Sequence, residues 1–209
     1  MIILRLIVLV ILAYTIGSIP TAYLAGKLKK GIDVRKFGTG NVGATNVGLV
    51  VGPMIGIIVY IIDVLKGVVP VLLARNYIGT ELSMALTGIA AILGHDFSIF
   101  LNFSGGKGIA TTTGVIFAIN TNLMLVIFLS WLVFVFLTNY FVAASLLSTA
   151  LLPIMMYFWD MSKIYVLFGI ACFLLALYTH RQDTVRIIWG QEKKALDSIK
   201  KLFKSEKII

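Results

Sequence analysis

The sequence predicts an all-α integral membrane protein of about seven transmembrane helices, with the N-terminus outside and the C-terminus in the cytoplasm. Three observations carry that expectation. Of the 209 residues, 59% are hydrophobic and 13% are charged, against about 45–50% and about 25% in soluble domains. Apolar stretches recur along nearly the whole chain, separated by short polar segments. Basic residues collect in a few of those segments and give a formal net charge of +9. Phospholipid headgroups and membrane orientation account for that charge, so no nucleic acid is expected as a partner. The length suits one helical membrane domain over residues 1–192, followed by a basic cytoplasmic tail over 193–209. The single cysteine, Cys172, excludes an internal disulfide.

The elements follow in order. The first apolar run, residues 2–25, carries Arg5 as its only early charge and passes through Gly17-Ser18-Ile19-Pro20. It exceeds the ~20 residues a span requires and reads as a retained helix rather than a signal peptide. Further apolar windows cover 51–74, 82–103, 109–119, 123–137, 141–158 and 164–179. Two or three of these are short for a full crossing. Asn120-Thr121-Asn122 is the sole polar break between the fourth and fifth windows, which leaves a single bent pair open. A five-span arrangement with re-entrant segments is the alternative. No internal repeat is evident, which argues against an inverted-repeat transporter.

Charge sets the sidedness. Lys27, Lys29, Lys30, Arg35 and Lys36 flank the first polar loop, and Arg181, Arg186, Lys193, Lys194, Lys200, Lys201, Lys204 and Lys207 follow Thr179. The opposite loops hold little beyond Arg5, Arg75 and Lys163. The positive-inside rule places residues 27–50 and the tail on the cytoplasmic face, and seven crossings bring the Lys107 loop to the same side.

Three polar segments carry the chemistry. Gly38-Thr39-Gly40-Asn41-Val42-Gly43-Ala44-Thr45-Asn46 formally matches the dinucleotide fingerprint, but it follows a basic stretch and no βαβ unit is present. Its Thr39, Asn41, Thr45 and Asn46 instead supply hydroxyls and amides around exposed backbone, as a ligand loop does. Ser104-Gly105-Gly106-Lys107-Gly108 places one lysine among glycines ahead of a helix beginning near Ile109, with Thr111 in its first turn. Glycines let backbone N–H groups approach an anion, and a helix N-terminus favours phosphate. Leu101 stands where a Walker A loop needs glycine. The last segment joins His180-Arg181 to Arg186 and Glu192 at the membrane boundary. Within the windows, Asp63 and Lys66 are i,i+3 neighbours expected to neutralise one another, and His95 either lines the site or is a hydrogen-bonded core histidine. Two histidines and scattered carboxylates suggest no metal and no cofactor. Anion binding beside lipid suits a transfer reaction whose donor is already activated.

In order along the chain, Gly17-Ser18-Ile19-Pro20-Thr21-Ala22-Tyr23, Gly40-Asn41-Val42-Gly43-Ala44-Thr45-Asn46, Asp63-Val64-Leu65-Lys66-Gly67, Gly94-His95, Gly105 to Thr111, and His180-Arg181 through Arg186 to Gly190-Gln191-Glu192 resemble the bacterial PlsY family. The resemblance implies a seven-helix acyltransferase of the bacterial inner membrane with its site on the cytoplasmic side. Such an enzyme moves a fatty acyl group from acyl phosphate to the 1-hydroxyl of glycerol-3-phosphate, giving lysophosphatidic acid and phosphate without acyl-CoA, metal or cofactor. The implied partners are acyl phosphate, glycerol-3-phosphate, membrane lipids and an enzyme that produces acyl phosphate. By position, His180 and Lys107 would be catalytic. Substrate binding would fall to Thr39, Gly40, Asn41, Gly43, Ala44, Thr45, Asn46, His95, Gly105, Gly106, Gly108, Thr111, Arg181, Asp183, Arg186 and Glu192. The acceptor's proton would pass to the donor phosphate or to His180. The family usually has Ser at 39, Arg at 49, Lys at 102 and Asn at 183, where this chain has Thr39, Leu49, Asn102 and Asp183. Leu49 and Asp183 together would make the pocket less cationic by about two charges, each charged contact to phosphate being worth roughly 1.5–3 kcal/mol. A paralogue that binds or transports a phosphorylated lipid precursor, or acylates another acceptor, is the alternative.

Overall fold

The structure is a computed structural model that describes residues 1–203; Lys204 and Lys207 of the expected tail lie outside them. Among the described residues every regular element is helical. The first apolar run forms two helices, α1 (Ile2–Ser18) and α2 (Thr21–Lys30). Pro20 disfavours helical geometry in the residue before it, and Ile19 accordingly leaves the helix at φ −54°, ψ 117°. α2 stops at Gly31, whose φ of +68° closes the last turn. A single 3-10 turn over Val34–Lys36 and the short α3 (Ala44–Val50) lead to α4 (Pro53–Tyr77), which opens on proline at its first position.

α5 (Glu81–Asp96) begins at Thr80, whose hydroxyl accepts the Ser83 N–H. After a 3-10 turn at Ile99–Leu101 and the glycine-rich loop comes α6 (Ile109–Ile119). Asn120 then caps α7 (Thr121–Thr138) by accepting the Leu123 N–H at 3.0 Å. The polar break at Asn120 is therefore a true boundary, and the fourth and fifth windows are separate helices. α8 (Phe141–Phe158), α9 (Lys163–Thr179), α10 (Arg181–Ile188) and α11 (Ala195–Phe203) complete the chain.

By length and composition five segments can cross a bilayer: Ile2–Lys30, Pro53–Tyr77, Glu81–Leu101, Thr121–Thr138 and Phe141–Phe158. α9 and α10, bent by 60° at His180, make a sixth if taken as one. The window at 109–119 forms a helix of 11 residues. At 1.5 Å per residue it is about 16 Å long, roughly half of a ~30 Å hydrocarbon core.

Helices in lipid gain little by hiding apolar surface from one another, so close backbone packing decides their neighbours. α1 lies on α5, α4 on α6, and α8 between α7 and α9. At the α4–α6 contact, a Cβ on Gly67 would come within 2.2 Å of the Thr111 carbonyl oxygen, and one on Gly114 within 1.9 Å of that of Val64. Val71, Ile92, Val115, Leu152, Met156 and Phe168 fill the interior. Phe136 and Leu137 of α7 face outward, as lipid contact requires. Replacing Gly114 with leucine should push α4 and α6 apart. Such overpacking costs typically 1–3 kcal/mol or more. A thermal-shift assay in detergent should then record a clearly lower melting temperature than wild type.

Candidate active site

The three polar segments are far apart in sequence and meet in space. Gly105 and Gly106 donate their N–H groups to the carbonyls of Asp96 and His95, both at 3.0 Å, so the loop folds back onto the end of α5. The fit is tight: a Cβ on Gly106 would lie 2.2 Å from His95 Nε2 and 2.7 Å from the Val42 carbonyl. That contact joins the second segment to the first. These two glycines serve close packing, and their N–H groups are already used. The expectation that they offer backbone donors to an anion is corrected accordingly. The next N–H groups, at the start of α6, have no side-chain cap. Gly108 precedes them at φ +71°, where a Cβ would lie 2.7 Å from Asp96 Oδ1.

The first segment is braced by one side chain. Asn46 is fully buried. Its Oδ1 accepts the Thr39 N–H at 2.7 Å, and its Nδ2 donates to the carbonyls of Val34 at 2.8 Å and Asn41 at 2.9 Å. An amide so committed has no donor left for substrate, so Asn46 organises the loop instead of binding. Gly43 and Val42 are buried beneath it, while Thr39, Gly40 and Thr45 are exposed and Asn41 and Ala44 partly so.

Lys107 turns toward α10. Its Nζ meets Asp183 Oδ2, and Asp183 Oδ1 meets an Arg186 guanidinium nitrogen. Arg186 Nε also donates to Glu192 Oε2 at 2.8 Å. Lys107, Asp183, Arg186 and Glu192 thus form a chain of alternating charges that joins the second segment to the third. Next to it, His180 is buried within electrostatic reach of Lys107 and Asp183. Its Nδ1 lies 2.9 Å from the Ala176 carbonyl. A carbonyl can only accept, so Nδ1 carries the proton and the lone pair stays on Nε2.

Two expected residues lie elsewhere. Arg181 bonds the Tyr178 carbonyl at 2.7 Å and stacks over the Tyr178 ring at 4.1 Å, away from the Lys107 chain. Thr111 is fully buried in the α4–α6 packing, its hydroxyl without a partner. Both positions follow from local geometry: Arg181 starts α10 at the bend, and Thr111 sits where Gly67 lets α4 approach. Of the departures from the family pattern, Asn102 is exposed at φ +53°, a conformation asparagine tolerates better than most side chains. Leu49 lines a cavity with Lys30, Lys193 and Lys194 rather than the Lys107 chain.

His95 lines a space of about 10 Å³ shared with Thr21, Val42, Lys66, Gly105 and Gly106, at the junction of the first and second segments. That is room for about one water. Lys66 and Asp63 pair as expected, at 2.6 Å, and Lys66 also donates to Thr21 Oγ1 at 2.8 Å. Thr21 and Lys66 line this space without having been among the expected substrate-binding residues, although a lysine at membrane depth was a signal. Among the described residues no three His, Cys, Asp or Glu side chains gather as metal ligands do.

A sequence profile of glycerol-3-phosphate acyltransferases matches residues 7–190. The chain belongs to that family. Glycerol-3-phosphate acyltransferase 2 of Thermotoga maritima is 43% identical over 187 residues, 88% of this chain and 93% of its own. The glycerol-3-phosphate acyltransferase of Aquifex aeolicus is 38% identical over 188 residues, 89% and 97% of the two chains. A crystal structure of PlsY (YgiH), an integral membrane glycerol 3-phosphate acyltransferase, in its glycerol 3-phosphate form superposes with a TM-score of 0.88 at 35% identity. It covers 93% of this chain and 98% of that one. The lysophosphatidic acid form gives 0.86. The PlsY resemblance read from the motifs stands, and this member of the family is a multi-pass integral membrane protein.

The bracing role of Asn46 separates it from a ligand contact. Asn46→Ala should orphan buried polar groups at about 1–3 kcal/mol each, lower the melting temperature, and speed tryptic cleavage at exposed Arg35 and Lys36. Thr45→Ala, at an exposed neighbour, should leave both measurements unchanged.

Proposed function

We propose that this chain transfers a fatty acyl group from acyl phosphate to the 1-hydroxyl of glycerol-3-phosphate on the cytoplasmic face of a bacterial inner membrane. One observation carries the reading: Lys107, beside the uncapped start of α6, converges with Arg186 on a single buried carboxylate, Asp183. Two cations on one anionic position, next in sequence to an uncapped helix start, suit a phosphate. The names and forms of the relatives support glycerol-3-phosphate as the acceptor and lysophosphatidic acid as the product.

In the reaction the acceptor's 1-hydroxyl oxygen attacks the acyl carbonyl carbon. The bond from that carbon to the phosphate oxygen breaks, and inorganic phosphate leaves. The hydroxyl proton passes to a phosphate oxygen of the donor or to the unprotonated Nε2 of His180. Lys107 and Arg186, the latter oriented by Glu192, hold the phosphate of the acceptor at the position where Asp183 now meets them both. The α6 N-terminus stabilises charge developing on the leaving phosphate. The loop over 38–46, rigid on Asn46, presents the exposed Thr39, Gly40 and Thr45. No metal or cofactor enters these steps. An acyl-phosphate-producing enzyme at the same membrane would supply the donor. With residues 27–50, the Lys107 loop and the tail on one side, all three segments face the cytoplasm.

A second reading is favoured by Asp183 itself. A carboxylate already paired with both cations competes with a phosphate for them, as in a protein that binds a phosphorylated lipid precursor without turning it over.

Purified protein given palmitoyl phosphate and glycerol-3-phosphate should release inorganic phosphate. Lys107→Ala should reduce that release by roughly tenfold to a hundredfold or more, the kinetic equivalent of one charged contact. Asp183→Asn should lower the KM for glycerol-3-phosphate. Absence of turnover in the wild type, with calorimetric binding retained, would instead establish the second reading. His180→Gln separates the proton acceptors: a kcat near wild type assigns the proton to the donor phosphate.

A further inference from the structure

Beyond residue 190 the chain leaves the stretch that matches the family profile, and the structure gives this extension a defined seat. Asn139, in the turn between α7 and α8, accepts the Ala195 N–H at its carbonyl (2.7 Å) and the Leu196 N–H at its Oδ1 (3.0 Å). α11 is thereby anchored at its start and lies along α3. Lys193, just ahead of it, reaches the Gly38 carbonyl at 3.4 Å.

Between these parts lies a cavity of about 590 Å³, within the ~300–1,000 Å³ typical of ligand pockets. Ile32, Phe37, Leu49 and Val50 give it an apolar wall, and Lys30, Lys193 and Lys194 give it a cationic one. Among the described residues Asp197 is the sole carboxylate in the lining. Among the described residues none of the three lysines forms an ion pair. Lys30 ends the first membrane span and Pro53 begins the next, so the cavity sits at the membrane–water boundary.

A small free anion has no use for the apolar wall, and a zwitterionic or neutral lipid has little use for the lysines. We propose that this cavity binds the headgroup of an anionic glycerophospholipid from the surrounding bilayer. Lys193 and Lys194 hold its phosphate, with Lys30 alongside, and its glycerol and upper chain lie on Phe37 and Leu49. Gly38 belongs both to the lining and to the first polar loop, so a bound lipid buttresses that loop from behind.

The test uses the full chain in nanodiscs of phosphatidylcholine with a minor share of phosphatidylglycerol, followed by native mass spectrometry of the lipid retained on extraction. Wild type should retain phosphatidylglycerol severalfold above its share of the bilayer. Lys193→Gln with Lys194→Gln should abolish that enrichment. Leu49→Trp, which fills the cavity without changing charge, should abolish it too; Ile32→Trp blocks the same wall if the Leu49 variant does not fold. Enrichment lost with the lysines but kept in the folded tryptophan variants would make the lysines a mere surface attraction and overturn the proposal. So would enrichment unchanged in all variants, or displacement of the lipid by soluble glycerol-3-phosphate or inorganic phosphate, which would make the cavity a site for free phosphate.

Discussion

Gly105 and Gly106 hydrogen-bond back onto the carbonyls of Asp96 and His95, and that return decides where α6 can begin. Because the loop folds onto the end of α5 instead of running on into solvent, α6 reaches its far end at Ile119 after 11 residues. The start of α6, just after Lys107, is then set about 16 Å from the turn into α7, roughly half the depth of a bilayer core. The same return brings Gly106 against Val42 and so docks the first polar loop. α4 completes the arrangement from behind, since Gly67 and Gly114 allow backbone contact and the Asp63–Lys66 pair sits just before that contact. A side chain at 105 or 106 would disturb all of these at once.

The charges at the site are self-contained. Lys107, Asp183, Arg186 and Glu192 alternate in sign and sum to zero, and the two carboxylates account for the cations' strongest contacts. Asp183 is the buried member, and an unpaired carboxylate there would be costly, so its pairing with Lys107 and Arg186 stabilises the substrate-free protein. On the proposed reading it also makes phosphate binding an exchange, in which the incoming anion takes over Lys107 and Arg186 only as Asp183 gives them up.

Much of this was legible in the sequence. The apolar windows fell on helices, Ile109 opened α6 as its neighbours suggested, and Asp63 paired with Lys66 as their spacing implied. The three polar segments converge as their shared chemistry foretold. Asn46, Thr111 and Arg181 were misread for a common physical reason. Their partners are backbone carbonyls or packed helix surface, at Val34 and Asn41, along α4, and at Tyr178. Such partners carry no residue-type signature. An amide that closes a loop and an amide that holds a ligand look alike in one sequence. The glycines were read for their freedom to approach an anion, whereas the neighbour they approach is the end of α5. The tail read only as a basic cytoplasmic segment because its docking point, Asn139, lies more than fifty residues upstream and is itself an ordinary turn residue at φ +58°.

The two departures that reduce cationic character also come apart in space. Asp183 faces Lys107 and Arg186, so its charge acts directly on the anion position. Leu49 lies on α3 in a different lining, opposite Lys193 and Lys194 of the extension. The deficit of two charges read along the sequence is therefore a deficit of one at the Lys107 chain. At the second place a cation would repel the three lysines already present, and an apolar side chain completes the wall they face. Leu49 thus fits the folded extension, and a change at 49 should be judged against α11 before it is judged against the acceptor. On the proposed reading, Asp183 is then the departure that bears on the acceptor's phosphate, because it pairs with both Lys107 and Arg186.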